Sequence, residues 1–310
     1  MNIIIYPDPN KENLNVNENP YSTPIILDNF EYFKDTEVKT MGEKFNKIIN
    51  KINSIFIFKD NYGKFLKTNI DFILKNKTIK FYILENDLHY LKSKQNAYNR
   101  YLLLRNNLIN NTHINILAFY WYHYKKLYKI NKSNLICFPR FAPDNSIIKV
   151  NNKPEMKILL SGSTSKAYPM RKYLKSLNHH LVKILTQQDN IRGQDYYKYI
   201  NKFVCAFSCC SNKYTPYIVS KFFEIPATGS LLLAYDEFVK EPLKELGFID
   251  GVNYISCNKE NIIEKINWIC DINNIEEINK IREKGQELVI NYHLLKNRYD
   301  IIKNLVSVKK

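Results

Sequence analysis

The amino-acid sequence predicts an α/β protein with two doubly wound domains, and three observations support this fold class. Short apolar segments suited to buried strands alternate with amphipathic segments suited to helices along most of the chain. The length of 310 residues exceeds the roughly 100–200 residues of one typical domain. A proline-bearing break at residues 139–145 separates two halves that each show the alternation.

The first half is predicted to alternate strands and helices up to residue 138. Its strands are short apolar runs, as expected for a parallel sheet that is covered on both faces. The predicted strands are residues 2–6, 54–58, 79–84, 114–119 and 134–138, and the predicted helices are 45–52, 65–75 and 90–108, with a further aromatic helix after residue 119.

The second half restarts the same alternation after the break. Two prolines and the turn pair Asp144-Asn145 interrupt periodic structure there, so we expect a first domain at 1–148 and a second at 149–310. The predicted strands are 156–160, 181–185, 203–208, 231–235 and 253–256, and the predicted helices are one entered through Pro169, then 195–202, 216–229, 259–268, 276–291 and 294–308.

Residues 203–235 are the most informative segment, because they predict a strand, a loop, a helix and a second strand. Thr215 is a favourable N-cap, and Pro216 suits the first helical position. Gly229 supplies the left-handed residue that ends a helix. The first-turn N–H groups after Pro216, up to residue 219, are expected to form an anion site near the carboxyl ends of the strands.

Three motifs of the second half occur in an order that resembles a known family. They are Lys221-Phe-Phe-Glu224 continued by Ala227-x-Gly229, the Gly-Phe-x-Asp-Gly of residues 247–251, and the segment from His293 to Arg298. Together they resemble the group-1-like branch of GT-B glycosyltransferases, which includes spore-maturation glycosyltransferases, over residues 157–300. The resemblance implies two Rossmann-like domains that face a central cleft. It also implies an acceptor-side first domain, a nucleotide-sugar donor domain second, and a last helix packed back on the first domain.

The loop that follows the second domain's first strand is the expected partner of the 216–229 helix. Gly162 would let the backbone approach the donor, with Ser163 beside it, while Lys166 or Arg171 would neutralise the diphosphate through charge-assisted bonds. The alternative is a simple turn with two surface cations. The loop is neither a Walker A motif nor a G-x-G-x-x-G fingerprint, which disfavours an ATPase or a dehydrogenase.

The resemblance assigns Glu224 the role of accepting hydrogen bonds from ribose hydroxyls, and the alternative is an ordinary exposed helical glutamate. Many retaining members carry a second glutamate eight residues earlier, where this chain has Pro216. This departure weakens the case for a retaining mechanism, so inversion and retention both stay open. Tyr214 and Thr215 are expected to contact the sugar or phosphates, and Lys221 to stabilise the departing diphosphate.

Glu85, Asp87 and His89 are the candidate catalytic residues of the first domain. They follow the strand at 79–84, and alternate spacing in an extended segment would place all three on one face. An inverting transferase needs a general base for the acceptor hydroxyl, and a carboxylate or a histidine can serve. We assign this role to Asp87 or His89. The alternative is a local hydrogen-bond arrangement without a catalytic role.

Composition limits the other functions. The net charge of +16 comes from scattered lysines without a block of like charges, which favours a solvated surface. A basic nucleic-acid-binding protein is the second hypothesis for the function. A catalytically degenerate protein that binds a nucleotide sugar is a further alternative. No D-x-D, GxSxG, HExxH or zinc-binding spacing occurs. We therefore expect no metal and no cofactor besides the nucleotide-diphosphate sugar, which acts as donor substrate. The acceptor would be an unidentified glycan, protein or small molecule.

The expected location is the cytoplasm, or the host cytoplasm if the protein is viral. The six cysteines show no CxxC spacing and lie mostly in apolar runs, so reduced thiols are expected. No apolar run approaches the roughly 20 residues that span a bilayer.

Overall fold

The structure is a computed structural model that describes residues 1–6, 27–34, 36–38, 40–58, 62–85, 111–119, 121–122, 134–165, 168–186, 189–210 and 217–307. The chain divides into two compact units, one formed by Met1–Pro139 with Tyr299–Lys310 and the other by Arg140–Arg298. Each unit contains one parallel sheet with helices, which confirms the predicted α/β class. The functional domains at 1–148 and 149–310 stay a prediction.

The first unit contains a six-stranded parallel sheet in the order β2-β1-β3-β4-β5-β6. Its strands are β1 Asn2–Tyr6, β2 Phe30–Lys34, β3 Ser54–Ile57, β4 Lys80–Glu85, β5 Ile114–Ala118 and β6 Leu135–Cys137. Its described helices are α1 Met41–Phe45 and α2 Tyr62–Lys75, and α1 continues as a 3-10 helix over Asn46–Lys51. Strand β2 was not predicted. It is an edge strand with a half-exposed, partly charged sequence, so it lacks the apolar run of a central strand. The predicted helix at 90–108 lies outside the described residues.

The second unit contains a five-stranded parallel sheet in the order β11-β10-β9-β7-β8. Its strands are β7 Glu155–Leu160, β8 Val182–Ile184, β9 Phe203–Cys209, β10 Leu231–Tyr235 and β11 Ile255–Cys257. Its helices are α3 Pro169–Ser176, α4 Gly193–Asn201, α5 Lys221–Ala227, α6 Lys240–Glu245, α7 Ile262–Cys270 and α8 Ile275–Tyr292. The last helix, α9 Leu295–Ser307, begins in the second unit, and its residues from Tyr299 onward belong to the first unit. Every residue of β9 and β10 is buried, as their uninterrupted apolar sequences predict.

Gly229 ends helix α5 in the left-handed conformation that was predicted, with φ +75°. A Cβ atom at this position would lie 2.9 Å from the Cα atom of Val150, so the glycine also permits a close backbone approach. The buried Arg282 of α8 donates from Nε to the Gly229 carbonyl at 2.9 Å and from Nη2 to the Asn151 carbonyl at 3.1 Å. These bonds fix the end of α5 against the segment that enters the second unit.

The predicted start of this helix is wrong. Helix α5 begins at Lys221, and Tyr217, Ile218 and Val219 are buried but not helical. Thr215 and Pro216 lie outside the described residues. Burial of three consecutive bulky side chains therefore outweighs the local preference for a cap and a first-turn proline. Residues 217–219 therefore do not form the first helical turn from which the anion site was predicted, and the anion site itself stays a prediction.

Two further observations concern the cysteines and the character of the helices. All six cysteines lie among the described residues; none forms a disulfide, and four are buried. Within the described ranges, no helix combines the length and the apolar character that crossing a membrane requires. The cytoplasmic location stays a prediction.

Candidate functional site

Three of the predicted donor-binding residues come together in the second unit, although they lie in separate stretches of the sequence. They are Gly162, Arg171 and Lys221. Gly162 follows strand β7 with φ +94°, a conformation that side-chain-bearing residues rarely adopt. A Cβ atom on Gly162 would lie 3.0 Å from Nη1 of Arg171 and 3.2 Å from Cε of Lys221. The absent side chain thus leaves two cationic groups close to the backbone where β7 ends. We call Gly162, Arg171 and Lys221 the cationic cluster.

Arg171, on helix α3, is 4% exposed, which is unusual for a charged side chain. Its Cζ atom lies 4.2 Å from the ring centroid of Tyr168, in a cation–π contact. Its Nε atom is buried and has no hydrogen-bond partner in the described structure. A buried N–H without an acceptor costs roughly 1–3 kcal/mol, so a bound anion at this point would be favoured.

Lys221 is half-buried at the start of α5, and its ammonium is held by hydroxyl groups. Nζ donates to the hydroxyl of Tyr196 and to Oγ of Ser161 at 3.2 Å, and it lies 4.4 Å from the centroid of the Tyr196 ring. The Tyr196 and Ser161 hydroxyls are themselves 2.8 Å apart. Sequence reasoning missed Tyr196, which is one of three tyrosines on helix α4.

The tyrosine beneath Arg171 also connects two loops of the second unit. The Tyr168 hydroxyl lies 2.5 Å from the hydroxyl of Tyr217, which precedes α5. The segment before α3 and the segment before α5 are therefore joined beside the cationic cluster. This bond also explains why Tyr217 stays outside the helix.

Glu224 lies one turn after Lys221 and is half-buried, so the alternative of an ordinary exposed glutamate is wrong. Burial raises the pKa of its carboxyl group, and the positive charges of Lys221, Arg140 and Arg171 oppose this rise. The carboxylate therefore stands among three cations. Arg140, in the segment between the two halves of the sequence, was not predicted, because nothing in the linker pattern indicates which cation influences the charge of Glu224.

The closing motif of the resemblance, His293 to Arg298, has a structural role in this chain. Arg298 donates from Nη2 to the Arg140 carbonyl at 2.8 Å and to Nδ1 of His293 at 3.1 Å. Nε2 of His293 lies 2.8 Å from the Leu246 carbonyl, so Nδ1 accepts while Nε2 donates. Burial, with a smaller effect from Arg298, lowers the pKa of His293 to about 4. The motif thus fixes the backbone at Arg140.

The Gly-Phe-x-Asp-Gly motif also shapes the backbone. Gly247 and Gly251 have φ values of +83° and +74°, and Oδ1 of Asp250 accepts from the Ser256 N–H at 2.7 Å. The ring of Phe248 stacks on His293 with a centroid distance of 5.8 Å. These contacts make the motif a turn that supports the closing segment.

The other predicted site residues are not part of this cluster, or their positions are not described. Ser163 is exposed, and its hydroxyl accepts from the Ser165 N–H at 3.2 Å in a local turn. Glu85 is the last residue of β4, opposite Ala118 in the sheet register. The remaining predicted residues, Lys166, Tyr214, Thr215, Asp87 and His89, lie outside the described residues.

In the part of the chain that the structure describes, no group of three or more His, Cys, Asp or Glu side chains is arranged to hold a metal ion. Metal independence stays a prediction.

Comparisons with known proteins fit this arrangement. A family model described as Glycosyl transferase-like matches residues 145–304, which is just over half of the chain. Among solved structures, the chain is similar to a glycosyltransferase from Rickettsia africae ESF-5, with a TM-score of 0.54, 14% identity, and coverage of 86% of this chain and 81% of that one. It is also similar to Anabaena Alr3699/HepE in complex with UDP, with a TM-score of 0.57, 12% identity, and coverage of 90% and 86%. A search of curated proteins found no match.

Proposed function

This chain belongs to the Glycosyl transferase-like family and has the GT-B fold, and from that premise we propose that it moves a sugar from a nucleoside diphosphate sugar to an acceptor hydroxyl. The observation that supports the donor class is the cationic cluster, in which a buried arginine and a hydroxyl-held lysine meet at a glycine without a side chain. The Anabaena relative has been solved with UDP and with UDP-glucose, so a uridine donor is the first to test.

The electrostatics of the cluster suit a diphosphate. With Glu224 ionised, the three neighbouring cations Arg140, Arg171 and Lys221 leave an excess of two positive charges. The diphosphate of a nucleotide sugar carries two negative charges and gains a third as the sugar departs. Fixed cations that face this developing charge stabilise the transition state more than the ground state. In this proposal they take over the role of a metal ion.

Glu224 would bind the ribose of the donor. An ionised carboxylate accepts hydrogen bonds only, and two neighbouring hydroxyls are suitable donors. The surrounding cations favour the ionised form, although burial opposes it. We also retain Asp87 or His89, with Glu85 nearby in sequence, as candidates for the general base that removes the acceptor proton.

The test is calorimetric titration of the protein with UDP, GDP, ADP and dTDP, followed by the Lys221→Met variant. We expect binding of at least one of these nucleotides, and a loss of about 10- to 100-fold in affinity in Lys221→Met, because a charge-assisted bond is removed.

Lys198→Met is the matched control, since Lys198 is an exposed lysine of α4 whose partner is Asp195 at 3.9 Å. The control should bind as the unaltered protein does. Equal affinities of all three proteins would remove the cationic cluster from the donor site, and no binding of any nucleotide would contradict the proposed function.

A further inference from the structure

We propose that Tyr196 is a positioning residue that directs the Lys221 ammonium toward the diphosphate of the donor, with Ser161 as its second support. The inference rests on the proposed function, because it assumes that Lys221 binds the donor. It adds a residue from helix α4, which none of the sequence motifs includes.

The geometry places the ammonium between two fixed hydroxyls. Lys221 donates to both Tyr196 and Ser161, and these two groups bond to each other at 2.8 Å. Ser161 is buried directly after β7, and helix α4 is anchored through the buried Tyr197 and Ile200. The lysine head group is thus held by two separate elements of the second unit.

Counting donors shows what this arrangement leaves available. An ammonium group has three N–H donors, and the two hydroxyls accept two of them. Nη1 of Arg171 and Cε of Lys221 lie 3.0 Å and 3.2 Å from the place where a Gly162 Cβ atom would be, so the end of the lysine side chain lies near the open backbone of that glycine. Among the described residues the ammonium thus has two hydroxyl acceptors for its three donors, and we assign the remaining donor to an anion.

The charge of the groups that accept hydrogen bonds from Lys221 is as important as the number of these groups. Glu224 stands three residues after Lys221, a spacing at which opposite charges on a helix often pair. In the described structure the ammonium bonds instead to neutral hydroxyls, which do not cancel its charge. Tyr196 therefore keeps the lysine available for phosphate oxygens and leaves the Glu224 carboxylate available for hydroxyl groups.

A double-mutant cycle tests this role, with the calorimetric dissociation constant of UDP as the measurement, or that of whichever of GDP, ADP or dTDP binds most tightly. Tyr196→Phe removes the hydroxyl and keeps the ring that faces the ammonium. We expect this variant to bind about 10-fold more weakly, the usual effect of losing a hydrogen bond to a charged group. In the Lys221→Met background the same change should alter affinity by less than about 2-fold, since the two residues act as one unit.

Tyr199→Phe is the matched control on the same helix, because the Tyr199 ring packs on Phe203 and away from Lys221. It should bind as the unaltered protein does. Equal losses from Tyr196→Phe in both backgrounds would show a general structural effect and overturn the inference. An unchanged affinity in Tyr196→Phe, with a weakened Lys221→Met, would also overturn it and leave the proposed function intact. Absence of binding to all four nucleotides by the unaltered protein would remove both.

Discussion

Replacing Gly162 by alanine probes the cationic cluster at its closest point. The backbone of Gly162 has φ +94°, where a side chain costs roughly 1–3 kcal/mol of folding free energy. The new methyl group would lie 3.0 Å from Nη1 of Arg171 and 3.2 Å from Cε of Lys221, both closer than ordinary van der Waals contact. Both cationic side chains would have to move by several tenths of an ångström. Because Arg171 is 4% exposed, its guanidinium has little room to yield.

Gly251→Ala separates these two effects. Gly251 has φ +74°, and a Cβ atom there would meet nothing within 4 Å. Gly251→Ala should therefore lose about 1–3 kcal/mol in urea unfolding from backbone strain alone, and Gly162→Ala should lose at least as much, because its methyl group also displaces two side chains.

Only Gly162→Ala should also bind UDP more weakly, by about 10-fold or more in calorimetry, because it displaces two groups that make charge-assisted bonds. If Gly162→Ala were destabilised like Gly251→Ala yet bound UDP within 2-fold of the unaltered protein, the cluster could not be the phosphate site.

Two further predictions concern titrating groups. Burial lowers the pKa of His293 from 6.5 to about 4, so the neutral imidazole contributes stability that is fully present above pH 6.5 and is lost as the pH falls from 6.5 toward 4. We expect the free energy of unfolding to fall by about 2 kcal/mol between pH 8 and pH 5. The His293→Gln variant should not show this loss. Urea unfolding at several pH values measures it, and an equal loss in the variant would contradict it. Because burial raises the pKa of Glu224 above its ordinary value of 4.5, ionisation is less favourable in the folded protein than in the unfolded chain, and stability is lost as the pH rises above 4.5. Glu224→Gln should therefore raise the melting temperature at pH 7 while weakening nucleotide binding. A lower melting temperature with unchanged binding would refute both roles of Glu224.

The sequence predicted the central strands well, for a physical reason. Strands β9 and β10 are buried on both faces, so burial requires apolar residues at every position and the pattern is visible in a single stretch. The edge strand β2 was missed because only part of it is buried. The end of α5 was predictable from the residue at its end, because the positive φ of Gly229 and the close approach of the Val150 backbone both require glycine.

The features that sequence analysis missed, the role of Tyr196 and the start of α5, depend on contacts between residues far apart in the chain. Tyr196 precedes Lys221 by 25 residues and follows Ser161 by 35, so no local spacing connects the three hydrogen-bonded groups. The start of α5 was wrong for the same reason, because the bond from Tyr217 to Tyr168 spans 49 residues. Residue type at these positions is informative only once the sheet brings the loops together.

The three motifs that carry the family resemblance therefore divide by physical role. Lys221 and Glu224 are half-buried and present charge at the end of the sheet, whereas His293 and Arg298 are buried and bond to backbone carbonyls and to each other. Arg298 nevertheless affects the site indirectly, since it holds the backbone of Arg140, whose charge reaches Glu224. Replacing Arg298 should thus weaken donor binding, because the backbone of Arg140 would lose its support. In an Arg140→Met background, the Arg298 replacement should no longer change the nucleotide affinity, whereas it should still lower the free energy of unfolding.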